Sequence, residues 1–166
     1  MSLATYVDLA FRWTKLTTLD LTSAQENPRL DYSDSLSDGT GAVDTADLVF
    51  SDRRTLAGTT ENIDLAGSLT DAFGATITFA RIKMIFIHNR NTSVGHTLTI
   101  GGAGSNTFLL FADASDKYAI GPNGMMLLWE PSAAAKPVTA STGDILLVNA
   151  GANTIVYDII IIGSSA

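Results

Sequence analysis

The sequence predicts an all-β protein, a jelly-roll-like antiparallel β-sandwich with at most one short helical turn. Three observations point there. Short apolar runs recur at intervals of about 8–12 residues, the rhythm of sandwich and barrel strands. Turn chemistry separates them, as in Gly101-Gly102, Gly121-Pro122-Asn123-Gly124 and Ser141-Thr142-Gly143-Asp144. Several runs, Met125-Met126-Leu127-Leu128-Trp129 among them, are apolar on both faces. One face meets the core, and the other needs a further layer or another subunit over it.

From Leu3 to Trp13 the odd positions Leu3, Thr5, Val7, Leu9, Phe11 and Trp13 alternate with Asp8 and Arg12, which predicts a half-buried strand. Thr14 to Leu36 embeds Leu16, Leu19 and Leu21 among Thr, Asp and Ser and contains Pro28, so it reads as strand, turn, strand. Residues 1–45 thus form an extended arm or strand-exchange region of a single domain spanning 1–166. Ser37 to Gly41 is a loop by its Asp-Gly and Gly-x-Gly pattern. Strands are predicted at Asp47–Leu56 and Thr60–Leu65. Ser68 to Phe73, with Asp71 three residues in and Gly74 behind, carries the start and stop signals of the one helical turn. In Ala75–Asn89 the buried side changes near Ala80, from Ile77 and Phe79 to Ile82, Met84 and Phe86, with Ile85 and Ile87 on the other face. Such a change of phase marks a bulge or a strand covered on both sides. Further strands follow at Thr97–Ile100, Thr107–Phe111, Lys117–Ile120, Met125–Trp129, Ile145–Val148 and Thr154–Ile162.

Charged residues make up 16% of the chain, against about 25% in an average soluble domain. So sparse a charge suggests that part of the surface is covered. The net charge of −7 opposes phosphate neutralisation and argues against nucleic acid as a partner. The absence of cysteine removes disulfides, thiolate chemistry and sulfur-ligated zinc. The segment Met1 to Trp13 lacks a cationic leader and is expected to stay in the mature chain. Thr154 to Gly163, the most apolar stretch, is interrupted by Asp158 and far shorter than the roughly 20 residues of a spanning helix, so no membrane anchor is expected.

No constellation demands a cofactor, a metal or a catalytic role. Cupin-type centres need three histidines and a carboxylate, and the chain has only His88 and His96, read as structural. The Gly-x-Ser-x-Gly elbow of serine hydrolases is missing, and Gly102-Ala103-Gly104-Ser105-Asn106 lacks the third glycine and following helix of a dinucleotide loop. Asp34 to Gly39 begins like a calcium loop but has Leu36 at the third ligand position and Thr45 at the closing one. Glu26, Glu61 and Glu130 leave little choice of acid for glycoside cleavage, a chemistry that needs two carboxylates at a set separation. Phe111, Tyr118 and Trp129 read either as a sugar-stacking platform or, in preference, as core and interface aromatics.

Asp47-Leu48-Val49-Phe50, the run Ile63 to Gly74, Thr78 to Lys83 and Tyr157 to Gly163 together resemble small β-rich proteins encoded among the virion genes of tailed bacteriophages and prophages. The likeness covers most of the chain. It implies a head decoration or cement protein: a jelly-roll-like subunit, commonly trimeric, on the capsid exterior, bridging neighbouring major capsid proteins. No site residues come with it. The expectation is therefore a non-enzymatic virion structural protein, made in the host cytoplasm and acting as a homotrimer. Its contacts are expected in Leu3–Trp13 and Thr154–Ile162, through Leu9, Phe11, Trp13, Trp129, Ile159 and Ile161. The alternative is a carbohydrate-binding host-recognition module of a tail or head fibre, with a glycan as partner.

Overall fold

The computed structural model describes residues 2–67 and 69–166. The chain opens with a long β-hairpin: β1 (Thr5–Arg12) and β2 (Lys15–Thr18) run out, β3 (Ser23–Glu26) and β4 (Arg29–Asp38) return, and β5 (Thr45–Ala46) adds a short parallel pairing to the end of β4. Pro28 has no N–H to give the ladder, so pairing breaks between β3 and β4. Asn27 pins that waist instead, its Oδ1 accepting from Thr14 Oγ1 at 3.0 Å and Gln25 Nε2 at 2.8 Å.

The body follows: β6 (Leu48–Ala57), β7 (Thr60–Asp64), the small hairpin β8 (Leu69–Thr70) and β9 (Thr76–Ile77), β10 (Arg81–Asn89), β11 (Leu98–Gly101), β12 (Lys117–Ile120), β13 (Met125–Trp129), β14 (Lys136–Pro137), β15 (Ile145–Asn149) and β16 (Thr154–Ser164). One sheet has the order β13-β10-β16-β6, with β14 beside β10, and the other β12-β11-β15-β7. Successive long strands alternate between the sheets except at the β11–β12 hairpin, which is the winding of a jelly roll and the fold class the residue pattern predicts.

Between the sheets lies the main core: Phe50, Ile85, Ile87, Ile155, Ile159 and Ile161 from one side, and Ile63, Leu98, Ile100, Ile120, Leu146 and Val148 from the other. The first sheet is apolar outward as well. Val49, Met84, Phe86, Leu127, Trp129, Ile160 and Ile162 form a second cluster with Leu3, Val7, Leu9 and Leu36, so the base of the hairpin is the layer that covers these two-faced strands.

The phase change in β10 is a bulge. Ile82 pairs with Gly163 and Met84 with Ile162, leaving Lys83 as the extra residue, three positions beyond Ala80. Both readings of the segment hold, because β10 is bulged and also covered on both faces. Two expectations fail. The helical turn is the β8–β9 hairpin: Asp71 Oδ1 accepts from the N–H groups of Phe73 at 2.9 Å and Ala75 at 2.8 Å, and Gly74 takes a φ of 89°. Its expected cap, Ser68, lies outside the described residues. Thr107–Phe111 is no strand, since it makes one isolated bridge, Thr107 to Ile145, while Phe108 and Leu110 still turn into the core.

Candidate functional site

The feature that exceeds what a free sandwich needs is the hairpin. Cross-strand partners share a face, so the register puts Val7, Leu36, Leu9, Tyr32, Phe11 and Leu30 on one side and Asp8, Ser33, Ser35, Asp31, Arg12 and Arg29 on the other. The apolar side begins over the body and then leaves it. Leu3 lines a cleft of about 240 Å³ with Val49 and Ser51 of β6, one edge of the sheet. At the opposite edge the Trp129 indole of β13 donates to Asp34 Oδ2 at 2.9 Å, and the Tyr32 hydroxyl donates to the same oxygen at 2.9 Å. The hairpin therefore crosses the whole outer face of the sheet, from β6 to β13. Beyond β13 the described residues leave it uncovered: Phe11 is 55% exposed, Trp13 51%, Leu30 60% and Leu21, at the tip, 99%.

The base is fixed electrostatically as well as by packing. The indole first, then the Ser35 N–H and the Tyr32 hydroxyl hold the Asp34 carboxyl below the usual carboxylate range. The same contact with Asp34 raises the Tyr32 phenol. The bulge turns Lys83 out of both alternating sets and buries it; its Nζ donates to the carbonyl oxygens of Ala42 at 3.1 Å and of Ser132, tying the loop after β4 to the loop after β13. Burial pushes its ammonium below the ordinary lysine range.

Around the free edge of β13 lies a second cleft, of about 160 Å³, lined by Leu110, Phe111, Tyr118, Met126, Leu127 and Leu128. The Phe111 and Tyr118 rings meet there, tilted, with centroids 6.4 Å apart. Trp129 does not join them, because odd positions of β13 face the hairpin while Met126 and Leu128 pack on the main core. The three aromatics therefore form no single stacking platform.

Of the expected contact residues, Phe11 and Trp13 stand free on the overhang, while Leu9 and Trp129 are half-buried at its base. Ile159 and Ile161 are corrected: odd positions of β16 point between the sheets and both are fully buried. Thr154–Ile162 is no peripheral segment either, since β16 runs between β10 and β6.

The polar groups fall into structural pairs. Asp158 accepts from Arg53 Nε at 2.6 Å and from Arg90 at 2.9 Å, which lowers its pKa, the Arg53 hydrogen bond contributing most. Tyr157 Oη donates to Glu61 Oε2 at 2.8 Å beside the Arg54–Glu61 ion pair, and burial raises its pKa to about 12. Glu26 lies on β3 and Glu130 beside Ser132, on elements apart from Glu61. His88 faces Asn123 at 3.4 Å, and the His96 backbone carbonyl, just after a turn, accepts from the buried Asn89 Nδ2 at 2.7 Å. Asp34 and Asp38 both sit on the extended β4, so four residues separate them by roughly 13 Å, too far for adjacent ligands of one calcium loop. Among the described residues no group of three or more His, Asp or Glu side chains could hold a metal ion. The sequence reads residues 1–45 as an extended arm or strand-exchange region; the point at which the apolar face of the arm leaves the body, beyond β13, carries no mark in its alternation. Compared with family models, with curated proteins and with solved structures, the chain matches none.

Proposed function

We propose that the chain is a non-enzymatic virion structural protein, a decoration or cement subunit that stabilises a tailed-phage head from the outside as a homotrimer, in contact with the major capsid protein. The observation that carries this reading is the hairpin, which covers its own sandwich at the base and then projects an exposed apolar face, Phe11, Trp13 and Leu30, beyond it. A cement subunit must reach across a boundary between neighbours, and a stable contact of this kind buries roughly 1,200–2,000 Å² in all. A body fixed by two apolar layers with a protruding arm suits that task. The acidic balance of −7 keeps such a subunit soluble and away from packaged nucleic acid. Jelly rolls recur in capsid proteins and in lectins alike, so the fold supports the reading only together with the arm.

Gold-conjugated antibody against the chain should label the heads of purified virions and locate it on the outer surface by cryo-microscopy. Label on tail fibres with bare heads would favour the carbohydrate-binding alternative, whose specific support is the Phe111–Tyr118 pair in its cleft. Virions free of the chain would refute both.

A further inference from the structure

The geometry points to a donor and an acceptor on the same chain: the overhanging half of the hairpin docks its exposed rings, Phe11 and Trp13, into the apolar cleft at the free edge of β13 of a second copy. This deepens the trimer part of the proposed function and names the surfaces that would build it.

Four observations carry the inference. The apolar face of the hairpin already makes this kind of contact within the chain, through Val7, Leu9 and Leu36 on Met84, Ile162 and Trp129, and the overhang continues the same face. The acceptor fits an aromatic ring, because an apolar cavity of about 150 Å³ is enough to hold benzene and this cleft measures about 160 Å³. Charge does not oppose the contact: residues 11–30 hold Arg12, Lys15 and Arg29 against Asp20 and Glu26, a balance of +1, against −8 for the rest of a chain whose total is −7, and the cleft itself is lined by uncharged side chains. Area suffices as well. Covering Phe11, Trp13, Leu30 and Tyr32 on that face, with Leu21 at the tip, removes several hundred Å² from water, on the order of the ~800 Å² per partner of a stable interface.

Donor and acceptor are different surfaces, so the contact is head-to-tail, and such contacts close into rings when the rotation between copies allows it. A trimer is one such ring, in which each arm reaches the next subunit.

The test uses the full chain in isolation, so its outcome is separate from whether virions carry the protein. Sedimentation velocity should show an oligomer for the wild type. A donor variant, Phe11→Ser with Trp13→Ser, and an acceptor variant, Tyr118→Arg, all change side chains that are about half exposed, so folding is preserved, as circular dichroism and melting would verify. Each variant alone should sediment as a monomer, its self-association weakened by roughly 30-fold or more per lost ring. Mixed one to one they should form a heterodimer, because one intact arm then meets one intact cleft. A second readout is the emission of Trp13 in a Trp129→Phe background, which should shift to the blue as concentration rises. A monomeric wild type, an oligomer that survives either variant, or a mixture that stays monomeric overturns the inference.

Discussion

Gly163 lies where the bulged strand β10 is locked to β16, and replacing it with alanine tests whether the bulge is a fixed part of the fold. The residue pairs with Ile82 on one side and Leu48 on the other, and its carbonyl accepts from Asp47 N–H at 3.2 Å. A Cβ built there falls deep inside the contact distance of the Arg81 carbonyl oxygen, 2.8 Å from Phe79 Cδ1 and 3.1 Å from the Arg81 carbonyl carbon. Two of those three atoms are backbone, so no rotamer change relieves the overlap and the two central strands must separate. Overpacking of a tight core costs about 1–3 kcal/mol, and each ladder hydrogen bond stretched with it about 1 more. Gly163→Ala should therefore lose at least ~3 kcal/mol, which lowers the melting temperature of a domain this size by roughly 6–12 °C. Gly121→Ala is the matched control: its Cβ meets nothing within 4 Å, so it should be neutral or stabilising by up to about 1 kcal/mol. Urea midpoints and calorimetry on both variants decide the matter. A Gly163→Ala protein within about 0.5 kcal/mol of wild type would show that the strands part freely and that the bulge is not a fixed constraint.

Two further outcomes follow from the titrating groups. Tyr157 ionises near pH 12 when folded, against 10.0 for a free phenol, so the folded state holds its proton more tightly and stability is lost as pH rises between those values; the loss approaches about 3 kcal/mol, and Tyr157→Phe should remove it from alkaline denaturation curves. Asp34 and Asp158 have lowered folded pKa values, so their contribution is present above the ordinary carboxylate range, fades as pH falls below it and is gone below their folded values. Urea midpoints measured from neutral to about pH 2 should fall less steeply in Asp158→Asn, and an unchanged slope would contradict the Arg53 and Arg90 pairing.

The body was legible because its strands obey simple periodicities. The isoleucines of β16 and the run from Ile82 to Asn89 announce buried strands, and the two-faced pattern of Met125–Trp129 announces a second cover. What covers that face was left open between a further layer and another subunit, since alternation states which side is apolar and not what lies against it. The same limit explains the hairpin. Its odd positions predict a half-buried strand along its whole length, yet four strands spaced by about 4.8 Å give a sheet less than 20 Å across, whereas Thr5 to Thr18 extends roughly 45 Å. Burial ends where the sheet does. The turn signals at Asp71 and Gly74 misled for a different reason: an aspartate accepting nearby N–H groups and a glycine at positive φ serve a hairpin as well as a helical turn. The clefts and the Trp129–Asp34 contact join residues far apart in sequence and left no local mark.

The overhang also has a thermodynamic consequence for the free chain. A two-stranded hairpin in water is marginal by itself, and ordering each backbone residue costs about 1–2 kcal/mol. At the base that cost is offset by Val7, Leu9 and Leu36 in the second cluster, and at the waist by Asn27 with its two donors and a long hydrogen bond from the Trp13 N–H to the Pro28 carbonyl, 3.5 Å. From Lys15 to Glu26 every residue is exposed, and the β2–β3 ladder with the turn hydrogen bond from the Leu19 N–H to the Thr22 carbonyl, 2.7 Å, opposes fraying. Amides of β2 and β3 should then exchange hydrogen rapidly in the monomeric donor variant and slow markedly in the wild-type oligomer, while those of Ile85 and Ile161 stay protected in both. Equal protection of β2 in the two species would mean that the arm is rigid without a neighbour, and that docking cannot be what orders it.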